Sequence, residues 1–197
     1  MKLLLSVYLP LLPLEALRPR WSEPGPVVVI DQGQVLAMSP EAAWAGVRLA
    51  MRSGGVAAIA PATLILERAL EREDLALDAI ATALMQYTPE VTHLDEFSVL
   101  LDVSASLTLF GGAHALCQRV MRSVSALGFT LQLGAAPTAG AAWMLARSSR
   151  RKGELLRRRV LSPASMLRRL DMLPCHLAPA TRAFQDWFAN IGRITSG

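Results

Sequence analysis

Turn residues cut this chain into short apolar runs, and that punctuation limits what it can become. Leu3–Leu9 is ended by Pro10 and Pro13. Val27–Ile30 follows the turn-rich Ser22-Glu23-Pro24-Gly25-Pro26, and Gln34–Met38 lies just across Gln32-Gly33. Phe97–Val103 and Phe129–Leu133 complete the set. Short runs rich in β-branched and aromatic residues read as strands, and the Gln32-Gly33 spacing predicts a hairpin. None approaches the roughly 18 apolar residues of a membrane span. Lys2 followed by three leucines has the look of a signal peptide, but Pro10, Pro13 and Glu15 interrupt it and no small-residue cleavage site precedes Arg18. The segment is read as the first strand of a cytoplasmic protein.

Helical signals fill the gaps. Ser39 is placed as an N-cap with Pro40 in the first turn, and the helix runs to about Ala45. A break is expected at Gly54-Gly55. Leu75, Ala79, Ala83 and Tyr87 recur at helical spacing after the acidic Glu71, Glu73 and Asp74, predicting a helix that ends at Thr88-Pro89. A helix is expected from Ala113 to Leu127, closed by Gly128. A turn over Gly134–Pro137 leads into a small-residue helix through Arg147. Further helices are expected from Ser162-Pro163 and from Pro179 to Ala189. The order predicts an α+β fold with a mostly antiparallel sheet and helices on one face.

With 52% hydrophobic residues the chain is built around a packed core and is not a disordered segment. Its charge is uneven. Arg147, Arg150, Arg151, Lys152, Arg157, Arg158, Arg159, Arg168 and Arg169 are opposed within that stretch only by Glu154. The stretch therefore carries a net +8, which leaves the remainder at −4 out of the overall +4. A concentrated basic block on an otherwise acidic chain points to an anionic partner, and its cations could each meet a phosphate. Cys117 and Cys175, near His114 and His176, do not have zinc-finger spacing and read as core thiols beside surface histidines. Gly111-Gly112 lacks the Lys-Ser/Thr of a phosphate loop.

Four stretches, in order and in register, carry a resemblance. Ala37–Met51 reads A-M-S-P-E-A-A-W-A-G-V-R-L-A-M and resembles the finger segment A-x-S-Y-E-A-R-x-x-G-V-x-x-G-M of the Y-family translesion DNA polymerases. Leu100–Ser106, L-L-D-V-S-A-S, is similar to that family's palm strand Y-L-D-V-T-G-S. Leu133–Ala142, L-G-A-A-P-T-A-G-A-A, is similar to its G-I-A-x-N-K-x-L-A segment. Leu9–Leu17 and the Leu109-Phe110-Gly111-Gly112 ending resemble the ImuB-like branch.

The resemblance implies a palm over 1–32 and 73–160, a fingers insertion over 33–72 and the start of a helical thumb over 161–197. Asn190–Thr195 looks like the start of the thumb's hairpin motif, so the chain is expected to lack the little finger and C-terminal tail. The departures matter most. Two-metal phosphoryl transfer needs carboxylates around a shared ion pair. The family's first-strand aspartates fall on Ser6 and Tyr8, and its aromatic gate on Pro10 and Leu11. Its second carboxylate pair falls on Phe97 and Ser98, and its triphosphate-gripping Tyr, Arg and Lys fall on Pro40, Ala43 and Ala139. The sequence therefore implies no catalytic residue, no cofactor and no enzymatic activity.

The implied role is a DNA-binding accessory in error-prone synthesis after DNA damage, the SOS response. It would work beside a sliding clamp, a RecA-like partner and an error-prone replicative-type polymerase. Candidate DNA contacts are Arg147, Arg150, Arg151, Lys152, Arg157, Arg158 and Arg159. The alternative is an active magnesium-dependent polymerase. Asp95-Glu96 lies two residues too early, a shift that keeps the strand face, and a bulge would bring the pair into the site with Asp102.

Overall fold

The computed structural model describes residues 2–95, 97–148, 170, 171 and 173. The helices expected beyond Ser162, together with Cys175 and His176, lie outside the described residues. In chain order the elements are β1 (Leu4–Tyr8), α1 (Leu12–Glu15), β2 (Val27–Asp31), β3 (Gln34–Met38), α2 (Pro40–Trp44), α3 (Ser53–Ile59), β4 (Leu64–Glu67), α4 (Leu70–Leu84), β5 (Val91–Leu94), β6 (Ser98–Asp102), α5 (Ala113–Ala126), β7 (Gln132–Ala136) and α6 (Ala139–Arg147). They fall into two compact units, one drawn from residues 2–8, 81–123 and 131 onward, the other from 9–80 and 124–130.

The first unit is built on an antiparallel sheet in the order β5-β6-β1-β7. β1 is central, and its alternation gives two faces. Leu5 and Val7, with Val99 and Leu101 of β6, point one way and are fully buried. Leu4, Ser6 and Tyr8 point the other way, where α6 covers them. Leu4 and Ala136 pack with Ala141, Ala142, Leu145 and Leu173. This packing is exceptionally close because β7 offers a glycine. A Cβ on Gly134 would run into the carbonyl oxygen of Ala142 and the amide nitrogen of Ala146. The expected Gly134–Pro137 turn is therefore corrected: Gly134 lies within β7, opposite Ser6. Thr138 then caps α6, its hydroxyl accepting from the Ala141 N–H at 3.4 Å.

The second unit holds a three-stranded sheet, β3-β2-β4, antiparallel on one side and parallel on the other. The predicted hairpin is present, with Gln32 (φ 50) and Gly33 (φ 76) both in the left-handed region that matches strand twist. Ser39 caps α2 as expected, accepting from the Ala42 N–H at 3.2 Å and also from Val27 N–H. The unit holding residues 33–72 begins at Leu9, because β2 pairs with both β3 and β4 and cannot be separated from them. Two glycines expected to break the chain, Gly54 and Gly55, instead sit in the first turn of α3. Pro13 is tolerated in the first turn of α1, where its missing N–H is not needed.

Arg68 fastens this unit. Its Nε and Nη2 donate to Glu73 at 2.8 and 2.9 Å, and Nη1 donates to Asp31 at 2.9 Å. These partners, Glu73 foremost, hold the guanidinium charged well above its ordinary value. Glu73 is almost wholly buried, so removing Arg68 would leave its carboxylate uncompensated, a cost of about 3–5 kcal/mol. The same pairing places Glu73 on the buried side of α4. Leu75 is 68% exposed, while Glu73, Ile80 and Leu84 are buried. Cys117 is half-buried and His114 is exposed on α5.

The Gly134 contact is against backbone, which cannot swing aside. Gly134→Ala is expected to cost about 3 kcal/mol in urea-induced unfolding, with the m-value unchanged. An unshifted midpoint would contradict this packing.

Candidate functional site

The strand register brings the key positions of the first unit together. Ser6 lies opposite Leu100 on β6 and Gly134 on β7. Tyr8 lies opposite Ser98 and Gln132. Ser6, Tyr8 and Ser98 therefore share the face that α6 covers. Ser6 and Ser98 have no solvent exposure, and the Ser6 hydroxyl is buried without a hydrogen-bond partner.

Above Tyr8 stands Arg147, in the last turn of α6, where a cation complements the helix dipole. Its guanidinium carbon is 4.2 Å from the Tyr8 ring centroid and 4.5 Å from that of Trp143. It thus lies between two aromatic faces, each a favourable cation–π contact. Nη1 also donates to the Ser98 hydroxyl at 3.4 Å. Arg147, expected as a DNA contact, is half-buried and engaged by Tyr8, Trp143 and Ser98. The stack was missed in the sequence, although a Trp and an Arg four apart on a helix share one face. Arg150, Arg151, Lys152, Arg157, Arg158 and Arg159 lie outside the described residues.

The candidate carboxylates Asp95 and Asp102 flank β6. β5 and β6 form a hairpin closed by Leu94 opposite Ser98. Asp95 is exposed in the turn between β5 and β6. Glu96 lies outside the described residues. The Asp95 carbonyl accepts from the Trp143 indole N–H at 3.5 Å, beside a slot of about 220 Å³ lined by Leu94, Ala139 and Met144. Asp102 is at the far end of β6, opposite Leu4 and about 13 Å along the strand from Ser98. It accepts from the hydroxyl and N–H of Ser104, which hold its carboxyl below the ordinary value. Ser104 in turn accepts from the Leu3 N–H at 2.9 Å. Asp102 thus fastens a strand end, and it and Asp95 are too far apart to share an ion.

Chemically, this face offers two serine hydroxyls and a phenol that burial pushes up in pKa, all neutral near pH 7, beside a guanidinium. Magnesium requires hard anionic oxygens in near-octahedral array. Ser6, Ser98 and Tyr8 do not fit a metal pair, and Arg147 opposes one electrostatically. Among the described residues no group of three His, Cys, Asp or Glu side chains could hold a metal.

The second unit has a larger cleft, about 360 Å³, reached by Leu11, Arg18, Pro40 and Glu41. In its wall the buried Glu15 accepts from the Thr130 N–H and hydroxyl, both at 2.6 Å. Burial pushes the Glu15 carboxyl up, while those bonds and Arg20 pull against it. Sequence reading used Glu15 only as an alignment anchor, because its partner is 115 residues away.

Residues 13–147 match the model of the IMS, or impB/mucB/samB, family. No curated protein matches the chain. Among solved structures, the insertion ternary complex of Dbh DNA polymerase aligns with a TM-score of 0.74 at 18% identity, over 98% of this chain and 58% of the other. DinB from Sulfolobus solfataricus gives 0.70 at 17%, over 99% and 58%. At that identity the likeness shows the fold, an α+β arrangement matching the palm and fingers of Y-family polymerases. The chain spans less than three fifths of the length of those polymerases.

Because α6 closes over Ser6, Ser6→Ala should be neutral or stabilising by up to about 1 kcal/mol, since it removes an unpaired hydroxyl. Ser6→Asp should cost about 3–5 kcal/mol at pH 7 as a buried, uncompensated charge. Urea unfolding of both variants tests this. An undiminished Ser6→Asp protein that binds Mn²⁺ would show the site to be open.

Proposed function

This chain belongs to the impB/mucB/samB family, and from that premise we propose that it is a non-catalytic, ImuB-like relative of the Y-family translesion polymerases. It binds DNA and serves error-prone synthesis after DNA damage as an accessory. The observation that carries this reading is the β1–β6 face. Ser6, Tyr8 and Ser98 stand where the sequence resemblance calls for carboxylates, and α6 lies across them with the Arg147 guanidinium against Tyr8 and Ser98. Losing one preorganised charge costs roughly 10²–10³ in rate, and losses at several positions compound.

In this reading the four-stranded unit is the palm, the β2–β3–β4 unit the fingers, and residues 161–197 begin the thumb. The basic residues Arg150, Arg151, Lys152, Arg157, Arg158 and Arg159 follow the phosphate backbone without reading sequence. Arg147 would reach DNA only by leaving its stack. A sliding clamp, a RecA-like protein and a replicative-type polymerase are the proposed protein partners, and the cytoplasm the proposed site of work.

Primer extension with Mg²⁺ or Mn²⁺ is expected to give no product above background. Extension that disappears with Asp95→Ala or Glu96→Ala would replace this reading with that of an active polymerase.

Duplex DNA binding is expected to weaken with salt at a slope steeper than about −2 in log K against log salt, and to flatten when Arg157, Arg158 and Arg159 become Gln. A shallow slope, unchanged in that variant, would remove the basic block from the account.

A further inference from the structure

The two edges of the second unit's sheet are finished differently. On β3 the chain covers its own edge: Val35 N–H donates to the Met51 carbonyl at 2.9 Å and Ala50 N–H to the Val35 carbonyl at 2.8 Å. β4 has only β2 beside it. Its inward bonds fix which groups face out. Leu64 N–H donates to the Pro26 carbonyl at 2.8 Å, and Arg68 N–H to the Ile30 carbonyl at 2.9 Å. The N–H and C=O of a trans peptide oppose each other, so the carbonyls of Thr63, Ile65 and Glu67 and the N–H groups of Ile65 and Glu67 point away from the sheet. Among the described residues none of these five has a bonding partner. Bare edges are commonly guarded by Lys, Pro or a bulge, and Thr63–Glu67 has none of these. Leu64 is instead 47% exposed, and the Thr63 hydroxyl is buried with no hydrogen-bond partner.

We propose that two copies of this chain pair through β4 as a two-fold dimer, antiparallel about Ile65, which joins their three-stranded sheets into one. In that register Ile65 N–H donates to the Ile65 carbonyl of the other copy, and Glu67 N–H donates to its Thr63 carbonyl. Both bonds are reciprocated, so every outward N–H of the edge is satisfied. The side chains fit the same register. Leu64 falls opposite Leu66, and Glu67 falls opposite Thr63, both favourable cross-strand pairs. A turn about χ1 exchanges the Thr63 methyl and hydroxyl, which lets that orphaned hydroxyl donate to the Glu67 carboxylate across the pair. The two Glu67 carboxylates stand about four residues apart along the strands, roughly 13 Å, beyond a Debye length of about 8 Å. An edge that answers its own donors, acceptors and charge makes a second copy the occupant. Each copy has one such edge, so assembly closes at the dimer. The contact is short, which makes the association weak. The inference is independent of how the β1–β6 face is read.

Sedimentation equilibrium of the full chain, from about 1 to about 200 µM, is expected to show a monomer–dimer equilibrium. Glu67→Pro removes an outward donor and leaves the bonds to β2 intact, a change that an edge strand accepts. It should weaken dimerisation at least about 10-fold with thermal unfolding unchanged. Thr63→Lys gives Glu67 a cation across the pair and should tighten the dimer about 2–10-fold. Adding Glu67→Lys to that variant sets like charges opposite each other and should bring the affinity below wild type. If Glu67→Pro unfolds the chain, the two lysine variants decide alone. The proposal is overturned if the chain stays monomeric at the highest concentration or grows past the dimer. It is equally overturned if a folded Glu67→Pro protein dimerises like wild type, or if the two lysine variants sediment alike.

Discussion

The four-stranded unit depends on how closely a helix can approach a sheet. α6 meets β7 backbone to backbone at Gly134, with Ala136 and alanines 141, 142 and 146 keeping the rest of the seam shallow. Dispersion falls off steeply with distance, so this seam makes up in proximity what it lacks in side-chain bulk. The depth of seating also fixes how far the last turn of α6 extends past Ser98. Arg147 reaches Tyr8 and Ser98 because the helix beneath it lies so low.

The two units hold a guanidinium in different ways. Arg68 is matched by two carboxylates, one of them deeply buried, a pairing that is strong only while complete. Arg147 is held between two aromatic rings and a hydroxyl. The first arrangement locks strand β2 to the start of α4 in one geometry. The second sets the cation against the faces of Tyr8 and Trp143 and the Ser98 hydroxyl.

Much of the fold was legible because its signals are local. The β2–β3 hairpin follows from Gln32-Gly33, the start of α2 from Ser39-Pro40, and the central strands from their apolar runs. What escaped notice rests on partners distant in sequence. The burial of Glu73 on α4 rests on Arg68, which is tied in turn to Asp31, 37 residues away. Gly134 resembles a turn residue until a helix is known to lie on it. At the site, the replacement of acids by Ser6, Tyr8 and Ser98 could be counted off the chain. That Asp95 sits in a hairpin loop and Asp102 serves Ser104 needed the register of β5 and β6.

The place of β1 at the centre of its sheet has a consequence for synthesis. It is synthesised well before its neighbours β6 and β7, which end at Asp102 and Ala136. At roughly 5–20 residues per second, several seconds or more pass before both edges of Leu4–Tyr8 can be paired. Through that interval an apolar strand with two open edges must be kept from other chains, so the nascent protein is vulnerable to aggregation along Leu4–Tyr8.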